Sequence, residues 1–167
     1  ALDGDWDLDD DGLYGEDAMN VAVKRMTEAD WPAVRDIYRQ GILTGNATFE
    51  TDAPDWLRWH QSHLSDCRLV ARSDDGDVVG WAALGAVSSR HVYRGVAEVS
   101  VYVATAHRSQ GVGKALLQAL VHASEEAGFW TLQAGIFSEN PASLALHASC
   151  GFRRVGVRER LGQMNGR

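Results

Sequence analysis

Glu98-Val99-Ser100-Val101-Tyr102-Val103, followed after four residues by Arg108-Ser109-Gln110-Gly111-Val112-Gly113-Lys114, decides how this chain folds. The segment from Ala97 to Val103 is apolar and β-branched enough to be a central strand. From Gly111 to Ala127, Val112, Leu116, Ala119, Leu120 and Ala123 recur on one helical face, and Gly128 supplies the stop. Between strand and helix, the glycines let the backbone turn tightly with successive N–H groups pointing outward. A helix N-terminus adds unpaired donors and a partial positive charge, so the loop suits an anion such as a phosphate. Arg108 and Lys114 add full charges beside it.

Two familiar phosphate loops are excluded by position. A P-loop needs Gly five places before the Gly of Gly-Lys, and Ser or Thr after the Lys. Here those places hold Arg108 and Ala115. The dinucleotide fingerprint needs a third Gly where Leu116 stands. What remains is an anion-binding turn or a Gly-rich turn that only packs, and the loop alone does not choose between them.

Outward from this stretch, the pattern predicts a mixed sheet flanked by helices. Val21 to Met26 reads as a strand, and a helix should begin near Asp30, with Pro32 in its first turn and Val34, Ile37 and Tyr38 on its buried stripe. Gly41 to Thr51 reads as a loop, and Pro54 to Leu64 as a short helix with Leu57 and Leu64 on one face. Leu69 to Arg72 and Val78 to Val87 are strands joined by the turn Asp74-Asp75-Gly76-Asp77. Ser88 to Gly95 is polar and irregular. Beyond the central helix, Thr131 to Phe137 is a strand, Pro141 to Ser149 a helix stopped by Gly151, and Phe152 to Arg160 a last strand. The order is β-α-α-β-β-β-α-β-α-β.

Length and composition limit the function classes. The 167 residues make one domain with a single core, and 45% of them are apolar. Residues 1–17 carry eight acidic side chains and no basic ones, whereas the remainder balances 16 Lys and Arg against 15 Asp and Glu. Residues 1–19 are therefore expected to form an acidic, solvated leader ahead of a single domain over residues 20–167. No clustered basic patch points to nucleic acid. No run approaches the roughly 20 apolar residues of a membrane helix, and no signal-peptide pattern precedes the domain, so the cytoplasm is the expected address. Cys67 and Cys150 have neither zinc-site spacing nor a disulfide framework. His60 and His63 lack an acidic or thiol partner at metal-ligand spacing, so no metal is expected.

Arg108-x-x-Gly111-x-Gly113 after the strand closely resembles the acetyl-CoA signature of the GNAT superfamily of N-acetyltransferases. Asn140-Pro141-Ala142-Ser143, Leu146-His147 and Cys150-Gly151-Phe152 resemble that superfamily's second cofactor segment. Three further features are similar to its phosphinothricin and methionine sulfone/sulfoximine branch: Ile37-Tyr38 leading to Ala47-Thr48-Phe49-Glu50, Tyr93-Arg94 shortly before Glu98, and His147 itself. The resemblance covers roughly residues 20–167. It implies a mixed sheet with acetyl-CoA at a splayed pair of central strands, a small amine as acceptor, and a homodimer. By position, the backbone of Val101, Tyr102 and Val103 would bond the pantetheine arm, and Ser109, Gln110, Gly111, Val112, Gly113 and Lys114 would hold the pyrophosphate, with Arg108 beside them. Asn140 and Ser143 would line the arm near the thioester, and Phe49 would lie by the acceptor. The branch's pattern continues past Asn165-Gly166-Arg167 into a Trp-containing strand that helps wall the acceptor pocket, and the present sequence ends ahead of it.

An amine is protonated near neutral pH and needs a base before it attacks a thioester. Glu98, just upstream of the arm-binding residues, is the candidate base, and a backbone N–H near Val101 could polarise the carbonyl. His147 is the candidate acid for the leaving thiolate, against the plainer reading of a packing histidine. Ser88, Ser89, Arg90, Tyr93 and Arg94 precede Glu98, where an Arg, Arg90 ahead of Arg94, could bind an amino-acid carboxylate bidentately. The expected chemistry is direct acetyl transfer to a small amino-acid-like amine. Acetylation of a protein N-terminus or lysine, and CoA sensing without turnover, are the alternatives.

Overall fold

A computed structural model describes residues 19–164 and Gly166. Five strands form one sheet in sequential order: β1 (Ala22–Arg25), β2 (Leu69–Arg72), β3 (Val78–Ala86), β4 (Val96–Val103) and β5 (Thr131–Gln133). The first three pairings are antiparallel and β4–β5 is parallel. Helices α1 (Trp31–Leu43) and α2 (Trp56–Ser62) cover one face, and α3 (Val112–Glu126) and α4 (Pro141–Ser149) cover the other. β3 is almost continuously apolar because both its faces are buried. β4 alternates, with Ala97, Val99, Val101 and Val103 in the core beneath α3. Glu98, Ser100 and Tyr102 therefore share the opposite face, towards α1 and α2.

That second face holds an aromatic core. Trp81 is fully buried, stacks on Tyr102 at 4.8 Å and meets Trp59 edge-on at 5.6 Å. Trp59 in turn touches Trp31 and Trp56. Arg68 secures α2 from below without a carboxylate partner. It donates to the backbone carbonyls of His60 in the last turn and of His63 and Leu64 beyond it, acceptors that a helix end leaves unsatisfied. At the start of α1, buried Asp30 accepts from Thr27 and pairs with Arg72 of β2.

Most predicted elements are present, with five differences. The leader expected over residues 1–19 lies, as far as residue 18, outside the described residues. Met19 belongs to the fold, since its N–H donates to the Gln110 carbonyl at 3.0 Å and its side chain packs on the core. The loop expected from Gly41 begins later, because α1 runs to Leu43. Gly41 is helical and buried, and a Cβ there would sit 2.6 Å from the Tyr102 ring, so it lets the helix lie close to β4. In α2 the buried residue is Trp59, and Leu57 is 62% exposed. The larger indole takes the core position. β5 stops at Gln133 rather than Phe137, where it parts from β4.

The strand expected over Phe152 to Arg160 is absent. The segment pairs with none of the described strands, and Val155 and Val157 are 83% and 56% exposed. Alternation supplies a strand's side-chain pattern, but a ladder also needs a partner.

Candidate active site

β4 is paired with β5 only over its first three residues. Val96, Ala97 and Glu98 pair with Thr131, Leu132 and Gln133, and then the strands separate. On that side, Val99 to Val103 face no described strand, so their outward N–H and C=O groups form an open edge. At its far end the chain turns through Thr105–His107 into the loop before α3.

That loop is shaped by two left-handed residues, Ser109 at φ +60° and Gly111 at φ +86°. Gly111 is the N-cap of α3 and carries no side chain to bond the first amides, so they remain available. Gly113 lies where a Cβ would approach Leu146 at 3.1 Å and Val103 at 3.5 Å, which keeps the helix start tight against α4 and β4. Arg108 donates from Nε to the Val103 carbonyl at 3.4 Å. Open amides with adjacent cations are what a phosphate-bearing ligand requires. The edge and the loop together make a continuous track from Glu98 to Lys114.

Glu98 stands where β4 and β5 part. Its Oε2 accepts from Gln133 Nε2 at 3.0 Å, and Gly135 passes close to Oε1, 3.8 Å from where a Cβ on Gly135 would sit. Gln133 therefore orients the carboxylate. The sequence alone does not single it out, because nothing there states which residue of β5 lies opposite Glu98. Ser100 escapes notice similarly, although alternation along β4 puts it on the same face.

The chain beyond β5 carries the remaining predicted residues. Asn140 caps α4, its side chain accepting from the Ser143 N–H at 3.1 Å. Its Nδ2 donates to the Asn46 carbonyl at 3.3 Å, and Asn46 Nδ2 returns a bond to the Glu139 carbonyl. This exchange ties the loop after α1 to the α4 N-terminus. Phe49 on that loop meets Phe137 edge-on at 4.7 Å. Ser88, Ser89, Arg90, Tyr93 and Arg94 form the β3–β4 connection, at the Glu98 end of both strands. Arg90 lies over the Tyr93 ring at 5.6 Å and Arg94 over Trp130 at 5.3 Å.

His147 is 5% exposed and engaged on α4. Its Nδ1 lies 2.8 Å from the Ser143 carbonyl, so Nδ1–H is the donor there. Phe152 closes edge-on against the ring at 5.1 Å. Burial holds this imidazole below its ordinary value, partly offset by the Ser143 bond. His63 is likewise depressed, by burial first and with the Arg68 charge adding, while its bond to the Trp59 carbonyl opposes. In the unfolded chain both would titrate near about 6.5. Their contribution is therefore complete above that value and is lost as pH falls below it, where the unfolded state takes up protons first. The melting temperature should fall between pH 7 and pH 5, and His147→Gln should make that fall shallower. Equal slopes for wild type and variant would contradict this.

Cys67 is not built as a nucleophile. Burial, with Asp66 adding, pushes the Cys67 thiol up to about 11, and Cys67 packs against the α3-side core. No group of three or more metal-ligating side chains occurs among the described residues.

A model of the acetyltransferase (GNAT) family matches residues 26–152, which contain the whole track from Glu98 through the α3 loop to α4. The chain belongs to the GNAT acetyltransferase family. Among GNAT relatives, the phosphinothricin N-acetyltransferase of Alcaligenes faecalis is 36% identical over 150 residues, covering 87% of this chain and 76% of that one. The L-methionine sulfoximine/L-methionine sulfone acetyltransferase of Salmonella typhimurium is 30% identical, covering 88% of both. A GNAT phosphinothricin acetyltransferase from Sinorhizobium meliloti, solved in complex with AcCoA, superposes with a TM-score of 0.80 at 32% identity, over 89% of this chain and 83% of that one.

Proposed function

We propose that this GNAT protein transfers the acetyl group of acetyl-CoA directly to the primary amine of a small amino-acid-like acceptor of the phosphinothricin or methionine sulfone/sulfoximine type. The observation that carries the reading is the open edge of Val99–Val103, running from an oriented carboxylate to an uncapped helix N-terminus. The edge suits the amides of a pantetheine arm, with Val101, Tyr102 and Val103 as its backbone partners. The loop from Ser109 to Lys114, with Arg108, suits the pyrophosphate. Acetyl-CoA supplies an activated thioester whose carbonyl carbon accepts the amine.

In this reading Glu98 takes a proton from the acceptor's ammonium, directly or through one water, and the freed nitrogen attacks the carbonyl carbon. A backbone N–H near Val101 stabilises the oxyanion. The carbon–sulfur bond then breaks, the amide keeps the acetyl group, and the thiolate takes up the proton that the nitrogen loses. His147, neutral and with its N–H given to Ser143, is assigned the role of fixing the Asn140–Ser143 turn rather than protonating sulfur. Arg90 is assigned the acceptor's carboxylate, with Ser88, Ser89, Tyr93, Arg94 and Phe49 around it. We extend the proposal to a cytoplasmic homodimer on the resemblance alone.

The test is thiol release from acetyl-CoA across a panel of amino-acid analogues that includes phosphinothricin and methionine sulfoximine. Acceptor-dependent release with at least one of them is expected. A panel that releases no CoA, from protein shown to bind acetyl-CoA, would overturn the reading.

A further inference from the structure

The face of β4 that carries Glu98, Ser100 and Tyr102 also borders a cleft that the acetyl-transfer steps do not use. It lies between α1, the loop before α2 and α2 itself, with a volume of about 130 Å³. Tyr38, Pro54 and Trp59 make its apolar walls, and Glu50, Arg58 and His63 bring its polar groups. Its flanks locate it. On one side Tyr38 rests on Tyr102 at 4.8 Å. On the other, the Ser62 carbonyl lies 3.7 Å from where a Cβ on Gly85 would sit, and Gly85 is the residue paired with Glu98. The flanks of the cleft thus meet the sheet at Tyr102 and at Gly85, the partner of Glu98.

Its charges are unspent. Among the described residues, neither the Glu50 carboxylate nor the Arg58 guanidinium takes part in an ion pair, although they are opposite in sign and line one concavity. His63 gives its Nδ1–H to the Trp59 carbonyl at 2.9 Å, which leaves Nε2 as an acceptor. Such a lining can receive a polar chain end between apolar walls. Arg58 is the cationic group of the lining: a guanidinium is always charged and brings five N–H groups in a fork that fits an oxyanion.

We propose that this cleft is a specificity subsite for the far end of the acceptor's side chain, and that Arg58 selects acceptors ending in an oxygen-rich anionic group such as a carboxylate or phosphinate. Glu50 on the same lining penalises excess negative charge and so limits the preference to a single anion. The inference rests on the N-acetyltransferase reading and adds to it which end groups are favoured.

The test compares wild type, Arg58→Gln and Glu50→Gln on two acceptors of similar length, phosphinothricin with an anionic end and methionine sulfone with a neutral one. The readout is the ratio of their kcat/KM values, because a merely structural defect would lower both alike. Arg58→Gln should reduce the anionic-to-neutral ratio about tenfold, as expected for a partly solvated hydrogen bond to a charged group. Glu50→Gln should raise it roughly threefold, by removing one screened like charge. An unmoved ratio in Arg58→Gln overturns the proposal. Calorimetric affinity for the same acceptors, measured with acetyl-CoA present, tests the subsite without turnover. A selective loss of phosphinothricin binding in Arg58→Gln upholds the subsite even if no CoA is released, in which case the transferase reading alone fails.

Discussion

Glu98→Gln is expected to lower kcat/KM by about 10²- to 10⁴-fold, the usual contribution of a positioned general base, while leaving acetyl-CoA affinity within a factor of about two. The substitution keeps the side chain's size and a hydrogen bond with Gln133, so little but the proton-accepting carboxylate is lost. Glu98 is exposed and supports no core contact, and the variant should melt close to wild type. Raising the pH should recover part of the rate, since a larger share of the free amine then arrives already deprotonated. Turnover undiminished at neutral pH would remove Glu98 from the mechanism. Absent turnover in both proteins, with CoA bound by both, would mark a sensor instead of an enzyme.

The largest structural effect is expected at Trp81. Replacement by Ala removes a fully buried indole that touches Tyr38, Trp59 and Tyr102, and none of these can collapse into the space without leaving its own partners. Large-to-Ala substitutions at such sites cost about 3–5 kcal/mol. For a chain of this size that corresponds to a fall of roughly 6–20 °C in melting temperature, and to a substantial share of a typical stability of about 5–15 kcal/mol. Thermal unfolding of purified wild type and variant measures it. A loss under about 1 kcal/mol would mean that the aromatic column packs far more loosely than these contacts imply. Turnover should fall too, because Tyr102 stacks on Trp81 and Glu98 lies four residues earlier on the same strand.

Local signals are legible where a single residue type settles a conformation. Gly111 and Gly128 bracket α3 in left-handed geometry, α4 spans Pro141–Ser149, and Gly76 turns the β2–β3 hairpin, each within a residue or two of its predicted place. What fails to show depends on neighbours distant in sequence. Gly41 reads as a helix breaker, yet here it continues α1 because the Tyr102 ring lies against it, 61 positions away. The residues from 152 to 160 alternate like a strand yet pair with none of the described strands. Gln133 is an ordinary polar residue until the parallel register sets it opposite Glu98. The site follows the same rule. The loop before α3 can be read from its glycines, whereas the partner of Glu98 and the cleft beside α2 arise only when separate elements meet.

The parting of β4 from β5 has a cost as well as a use. A strand edge with no described neighbour over five residues is open to an extended chain, including a stretch of another molecule of the same protein. The same open edge that is proposed to receive an amide-bearing arm is a template for intermolecular strand addition. A bound donor would block that edge, so occupancy of the site would protect the protein against aggregation.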